Sequence, residues 1–326
     1  MTELAPVPPA VRRAQRAVFV VFALNGFHFA NFAARVPTVR DGLGLTPQQM
    51  GWLLLVGSMG SLVALPLSGL IVQRLGARTT VRAFAVVNVV GLLLAGTMVD
   101  AGAAFLVAAS FFVFCVGTSV WDSAMNLEGT VVERRRGTTI LPRLHAGFSL
   151  GTVAGAGTGA LAAWAELTLV VHFLIVLVPS IVTIMMITRG FLPLEGADDA
   201  APGSAREVHR GRVGSAARAW TEPRTLLLGL VVLAAAITEG AANDWMALAV
   251  VDGFEVSNAV GAVFFGVFVA AMTLARFAGG ALLDRFGRVV VLRISAGLAV
   301  AGLALFALPP SLAITALGAV LWGFGA

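Results

Sequence analysis

The chain is predicted to be an all-α polytopic membrane protein, and three observations predict it. Of its 326 residues, 58% are hydrophobic and only 12% are charged, with a mean hydropathy of +0.92; a soluble domain carries roughly 25% charged residues. The apolar residues fall in runs of about 20, the length that crosses a hydrocarbon core of about 30 Å. The arginines sit in short segments between those runs. The formal charge of +5 therefore belongs to membrane topology rather than to a nucleic-acid-binding patch. The one cysteine, Cys115, lies inside an apolar run, which leaves no intramolecular disulfide, Cys-x-x-Cys pair or thiolate metal cluster.

Nine full spans and one partial span are read at 17–37, 49–72, 79–99, 103–129, 144–165, 168–190, 224–250, 257–280, 289–308 and 311 to the end. The first run follows Arg12, Arg13 and Arg16, but it is too long and too polar inside for a cleaved signal peptide. Of the 22 arginines, 19 fall on alternate segments: the N-terminus and the stretches 73–82, 130–143, 189–224 and 284–293. The opposite loops hold Arg35 and Arg40, and Arg276 lies within a span. By the positive-inside rule the N-terminus and the central loop are expected in the cytoplasm. Every basic residue is arginine, which suggests a GC-rich, bacterial coding sequence, so the expected location is the bacterial cytoplasmic (inner) membrane. The central polar stretch from Leu194 to Thr221 holds Asp198, Asp199, Pro202, Gly203 and Arg206. It divides the chain into a six-helix N-terminal half at 1–193, a cytoplasmic loop at 194–222 and a C-terminal half at 223–326.

An internal repeat supports the division. Gly69-Leu-Ile-Val-Gln73-Arg74-Leu-Gly76-Ala-Arg78 recurs 211 residues later as Gly280-Ala-Leu-Leu-Asp284-Arg285-Phe-Gly287-Arg288. Each copy ends the second span of its half. The glycines permit a tight turn and close helix approach, while the carboxylate and arginines suit charged contacts at helix ends, a gating or loop role. With this motif, the chain resembles the major facilitator superfamily, and the resemblance covers the whole chain. It implies a major-facilitator-type fold of six plus six helices with a solute cavity between two halves at the bilayer midplane, opened alternately to either side. On that template about ten of the twelve helices are present, and the C-terminal half is truncated within its fourth helix at Leu321-Trp-Gly-Phe-Gly-Ala326. The expectation is a fragment. Gln73 replaces the acidic residue that Asp284 supplies in the second copy, so a charged latch is better supported there.

Ionisable and amide groups inside spans are costly and mark candidate sites. In the first span Asn25, His28, Asn31 and Arg35 share about a third of the helix circumference, a cavity wall for a polar solute or a set of helix–helix hydrogen bonds. In the fourth span Asp122 and Asn126 lie one turn apart; Asp122 carries a proton, binds a solute hydroxyl or pairs with an arginine of the adjacent loop. Glu128 and Glu133 read as cytoplasmic ion-pair partners. The seventh span, Glu239-Gly-Ala-Ala-Asn243-Asp-Trp245, is the most informative. Glu239 is near the midplane, where a carboxyl exchanges a proton according to which side the cavity faces, and Asn243 follows one turn on. Trp245 offers a flat face for a sugar ring or anchors at the interface. By repeat position Asn25-Gly26 is only a loose counterpart of Glu239-Gly240, since the offset there is 214 and not the 211 of the motif. His145 opens the fifth span, where an imidazole suits proton transfer or a structural contact. Arg276 reads as embedded and in need of a carboxylate or carbonyl partner, a gating or structural pair with Asp284 or the other half. Gly147, Gly151, Gly155, Gly157 and Gly159 form a packing stripe, and the resemblance puts the fifth helix at the interface between halves.

No catalytic triad, metal-ligand spacing or phosphate loop is present, so an enzyme, a bound metal and a cofactor are not expected. The drug-antiporter branch carries an Arg in the fourth helix and a Gly-Pro pair in the fifth; here Asp122 and Asn126 stand in the fourth, and the fifth has no proline beyond Pro142. The segments Asp122–Glu128, His145–Gly151 and Glu239–Trp245 are more similar to the fucose-permease-like branch of bacterial inner-membrane proteins. That resemblance implies proton-linked symport of a small polar, sugar-like solute. Glu239, Asp122 and His145 would couple protons; Asn25, His28, Asn31, Asn126, Asn243 and Trp245 would bind solute. The expected partners are the solute, protons and the lipid bilayer, with the protein a monomer and no nucleic acid bound. Efflux by proton antiport, and a non-transporting receptor or inactive fragment, remain the alternatives.

Overall fold

The computed structural model describes residues 7–193, 222–308 and 311–326, which hold ten α-helices and no strand. They are α1 (Pro9–Ala33), α2 (Val36–Leu43), α3 (Pro47–Asp100), α4 (Ala104–Arg136), α5 (Leu141–Trp164), α6 (Leu169–Ile187), α7 (Pro223–Phe254), α8 (Asn258–Phe286), α9 (Arg288–Ala307) and α10 (Leu312–Gly325). Seven helical stretches are long and apolar enough to cross a membrane, α1 and α2 forming one of them and the 54-residue α3 another. At 1.5 Å per residue a straight α3 would measure about 80 Å, more than twice a bilayer core, so it makes two crossings. The helices overrun several expected boundaries: α4 continues through the arginine cluster to Arg136 and α7 to Phe254. The polar central stretch at 194–221 lies outside the described residues.

Local chemistry sets the ends. Pro9 occupies the first turn of α1, where its missing N–H costs nothing. Thr46 and Gln49 form a reciprocal capping box at the start of α3, and Gly44 at φ 62° closes α2 before it. Thr168 accepts the Val171 N–H at 3.3 Å to cap α6.

The 73–82 segment is not an open loop. The reversal within α3 falls on Gly76 alone, at φ 77° and ψ 155°. Gly287, 211 positions later, separates α8 from α9 at φ 78° and ψ 158°. The two copies of the sequence repeat therefore share one backbone conformation, in a region that is essentially glycine-only. Gly76→Ala is expected to cost about 1–3 kcal/mol, read as a lower melting temperature in detergent, whereas alanine at Gly69, where a Cβ meets nothing within 4 Å, should cost little.

The glycine stripe of α5 packs against α1. A Cβ at Gly147 would meet the Phe19 ring at 2.9 Å, at Gly151 the Ala23 carbonyl at 1.7 Å, at Gly155 the Phe27 carbonyl at 2.5 Å and at Gly159 the Ala34 Cβ at 2.5 Å. The opposite partner of α5 is α8, which also meets α10, and α10 packs on α9. Around these contacts sit two buried clusters, one on Phe22, Trp121, Met125 and Leu144, the other on Phe32, Met50, Phe111, Phe114 and Leu248. The outward faces are apolar, with Phe105 84%, Trp164 76% and Leu161 65% exposed, as a lipid-facing surface requires.

By compactness the chain falls into two units, Met1–Leu192 with Asn243–Ala326, and Pro193–Ala242. The described helix of the second unit is the opening stretch of α7, where Leu227, Val232 and Ile237 are exposed.

Candidate functional site

The polar stripe of α1 is one face, as its spacing predicts, but neighbouring helices cover it. His28 and Asn31 are both 0% exposed. His28 Nδ1 lies 2.8 Å from Asn88 Oδ1 on α3 and its Nε2 meets the Ser180 hydroxyl on α6. The Asn88 amide donates to Thr118 Oγ1 on α4 at 2.8 Å, and the Trp121 ring stands edge-on to the imidazole at 5.1 Å. One turn along, Asn31 Oδ1 accepts from Thr158 Oγ1 at 2.9 Å and lies 2.8 Å from His172 Nε2, while its amide donates to the Phe27 carbonyl. Arg35 does not reach outward; it is 2% exposed and donates to the Leu167 carbonyl at 2.6 Å. These groups tie α1 to α3, α4, α5 and α6. In hydrocarbon a polar side chain takes the nearest partner, and each such interhelical bond contributes about 0.6 kcal/mol on average.

Asn25 is also buried, and its amide nitrogen has no hydrogen-bond partner among the described residues. On α4, Asp122 is half-buried and the Asn126 amide donates to its backbone carbonyl at 3.0 Å. Glu128 accepts the Leu192 N–H at 2.8 Å, and Glu133 accepts the N–H groups of Ile140 and Leu141, so both carboxylates satisfy backbone donors, Glu133 at the start of α5. Near them Arg78 donates to the Phe191 carbonyl and Arg82 to the Met185 carbonyl, each at 2.8 Å, fixing the end of α6 to the bend region of α3. Among the charged motif residues Arg78 makes this backbone contact, whereas Arg74 of the first copy and Asp284, Arg285 and Arg288 of the second are exposed.

His145 is exposed at the start of α5, its ring 5.2 Å edge-on from Phe22. Arg276 is exposed rather than embedded, and Nη1 reaches Ser149 Oγ on α5 at 3.5 Å. Its position late in α8 brings it within reach of α5. On α7, Glu239 and Asn243 are half-buried one turn apart, and Asn243 Oδ1 has no hydrogen-bond partner among the described residues. Trp245 lies against α3: a Cβ at Gly51 would stand 3.3 Å from its ring.

A cavity of about 190 Å³ opens where α1, α3 and α4 face α7. Phe29, Phe32, Ser61, Cys115, Thr118 and Asp244 are among its lining residues. Asp244 stands outside the candidates read from sequence because it neighbours Asn243 and Trp245 in one motif without a periodicity of its own. At the arginine-poor ends of the helices lies a second unforeseen feature. Arg40 on α2 pairs with Asp41 at 2.7 Å and with Asp252 near the end of α7, and Asn258 at the start of α8 donates to Asp41 Oδ2 at 2.9 Å. This clasp joins the N-terminal helices to α7 and α8. The sequence carried one sign of it: Arg35 and Arg40 are the only arginines on their side.

A helical bundle with apolar outer faces, polar residues inside and a cavity between α1, α3, α4 and α7 has the build of a polytopic membrane protein. Residues 18–326 match the Major Facilitator Superfamily, and the chain belongs to that family. It is 31% identical over 313 residues to an uncharacterized transporter of Sinorhizobium fredii, covering 95% of this chain and 78% of that one. Among solved structures it is similar to the nucleoside transporter NupG, with a TM-score of 0.70 at 14% identity, covering 97% of this chain and 79% of that one. It is also similar to the partially occluded, inward-open xylose transporter XylE of E. coli, with a TM-score of 0.69 at 12% identity, covering 98% and 82%. The protein is thus a multi-pass membrane transporter and not an enzyme.

Proposed function

We propose that the protein moves a small polar, sugar-like solute across the bacterial inner membrane by alternating access, coupled to protons. The observation that carries this reading is the cavity between α1, α3, α4 and α7, walled by hydroxyls and a carboxylate deep in an apolar bundle. Polar groups in that setting are expensive unless a solute or ion uses them. The similar folds named for nucleoside and xylose transport, although remote in sequence, also suit a polar ring. In this scheme Glu239 and Asp122 exchange the proton, and Asn25, Asn126 and Asn243 contact solute. His28 and Asn31, held between helices, shape α1 instead of touching the solute. His145, at the start of α5 beside Phe22, and Trp245, beside Gly51, act from outside the cavity lining. The arginine-poor clasp is the gate closed toward the outside, with the N-terminus in the cytoplasm.

The test is a thermal-shift screen of the purified protein in mild detergent with monosaccharides, polyols and lipophilic cations, since selective binding to the native state raises its melting temperature. Hits then enter counterflow assays in proteoliposomes. A monosaccharide or polyol that stabilises the protein and exchanges in counterflow supports the proposal. Stabilisation by lipophilic cations alone would replace it with efflux, and binding without counterflow would replace it with a receptor.

A further inference from the structure

The cavity beside Asp244 has an unusual donor and acceptor balance. Asp244 is its single charged lining residue, and among the described residues no hydrogen bond or ion pair engages that carboxylate. Two of the three lining hydroxyls commit their hydrogens to backbone carbonyls. Ser58 Oγ donates to the Leu54 carbonyl at 3.0 Å, and Thr118 Oγ1 donates to the Phe114 carbonyl at 2.9 Å while accepting the Asn88 amide. The third, Ser61 Oγ, accepts from Ser119 at 2.8 Å, a bond that leaves its own hydrogen as the one hydroxyl donor on the lining. What faces the cavity is therefore mainly lone pairs and a negative charge. The rest of the wall is four phenylalanines with Leu54, Gly57 and the Cys115 thiol. Among them Phe32 stands edge-on to Phe111 at 4.8 Å and tilted to Phe114 at 4.9 Å, and phenyl rings are wall material that tolerates a cation better than an alkyl wall does.

We propose that this cavity binds a protonated amine carried on a compact solute. The inference rests on the transporter reading and narrows its substrate class from neutral sugar to amino-substituted ring. An ammonium group supplies three donors and no acceptor, the complement of this lining. Its charge neutralises Asp244, which is otherwise a lone carboxylate in an apolar bundle. The volume equals that of roughly six waters in the liquid at about 30 Å³ each, so the frame is small.

The test compares matched probes on the full chain in detergent. Glucosamine is set against glucose and N-acetylglucosamine, and cyclohexylamine against cyclohexanol, for wild type, Asp244→Asn and Asp244→Glu. The amines are expected to raise the melting temperature by a few degrees where their neutral partners do not. Asp244→Asn should weaken amine binding on the order of tenfold or more, and Asp244→Glu should retain part of it. Should Asp244→Asn fail to fold, the wild-type contrast between amine and neutral partner still decides. Equal shifts for glucose and glucosamine, or amine shifts unchanged in Asp244→Asn, would overturn the amine proposal while leaving a carrier of neutral solutes. No shift with any amine would overturn it too. An amine shift that depends on Asp244, without glucosamine counterflow in proteoliposomes, would uphold the site and remove transport instead.

Discussion

Valine at Gly151 is expected to abolish the folded protein. The Cβ position at Gly151 lies 1.7 Å from the Ala23 carbonyl oxygen and 2.6 Å from its carbon, distances that no rotamer change relieves because the obstacle is backbone. The facing residue Gly26 is as tight, its Cβ position 2.1 Å from the Phe148 carbonyl oxygen. Helices α1 and α5 therefore touch backbone to backbone along this stretch. A branched side chain forces them apart, and the displacement breaks the Asn31–Thr158 hydrogen bond further along the same pair. Overpacking costs about 1–3 kcal/mol in cores that can yield and more in those that cannot. Gly157, on the same helix with nothing within 4 Å of its Cβ position, is the internal control. Its valine variant should stay within about 0.5 kcal/mol of wild type. Yield of monodisperse protein and melting temperature in detergent give the comparison, and equal behaviour of the two variants would refute the contact.

The second large effect is expected on energetics rather than folding. Glu239→Gln keeps the shape of a half-buried residue on α7 and removes its exchangeable proton. One pH unit is worth about 1.36 kcal/mol, so one coupled proton under a two-unit gradient supports an accumulation ratio of about 100. The variant should lose that accumulation, falling to a ratio near one, while counterflow, which needs no net proton movement, continues. Proteoliposomes loaded with the solute found in the thermal-shift screen measure both on one preparation. Undiminished uphill uptake by Glu239→Gln would remove the residue from coupling.

The parts of the fold that were legible in sequence are those with a simple period. Runs of apolar residues marked the crossings, and the repeat predicted a matched turn that Gly76 and Gly287 adopt with nearly identical dihedral angles. The glycine stripe on α5 predicted close packing but not its partner, because glycine spacing says how near a helix comes and nothing about which one. Here it is α1, while α8 takes another face of α5 through Ala156 and Thr273. The same limit governs the site. One polar face on α1 is a property of local sequence, whereas its covering by Asn88, Thr158, His172 and Ser180 depends on three other helices. Arg276 was read as embedded from its position in an apolar run, yet late in α8 it is exposed. The Arg40–Asp252 clasp is a long-range pairing, and the place of Asp244 in the cavity depends on three other helices; no local pattern encodes either.

The central claim is that the two groups of helices rock about the cavity, with the Arg40 clasp holding one side shut. Spin labels on cysteines placed at Thr46 and Glu255 report the arginine-poor side, and labels at Thr138 and Val289 report the other, each in a Cys115→Ala background. All four positions are exposed. Arg40→Ala removes the contacts to Asp41 and Asp252 and should shift the equilibrium several-fold, since about 1 kcal/mol is a factor of five. Distances measured by pulsed electron resonance in lipid nanodiscs are expected to lengthen between 46 and 255 and to shorten between 138 and 289 in the same variant. Distances that stay unchanged on both sides, or that lengthen together, would contradict alternating access through this gate.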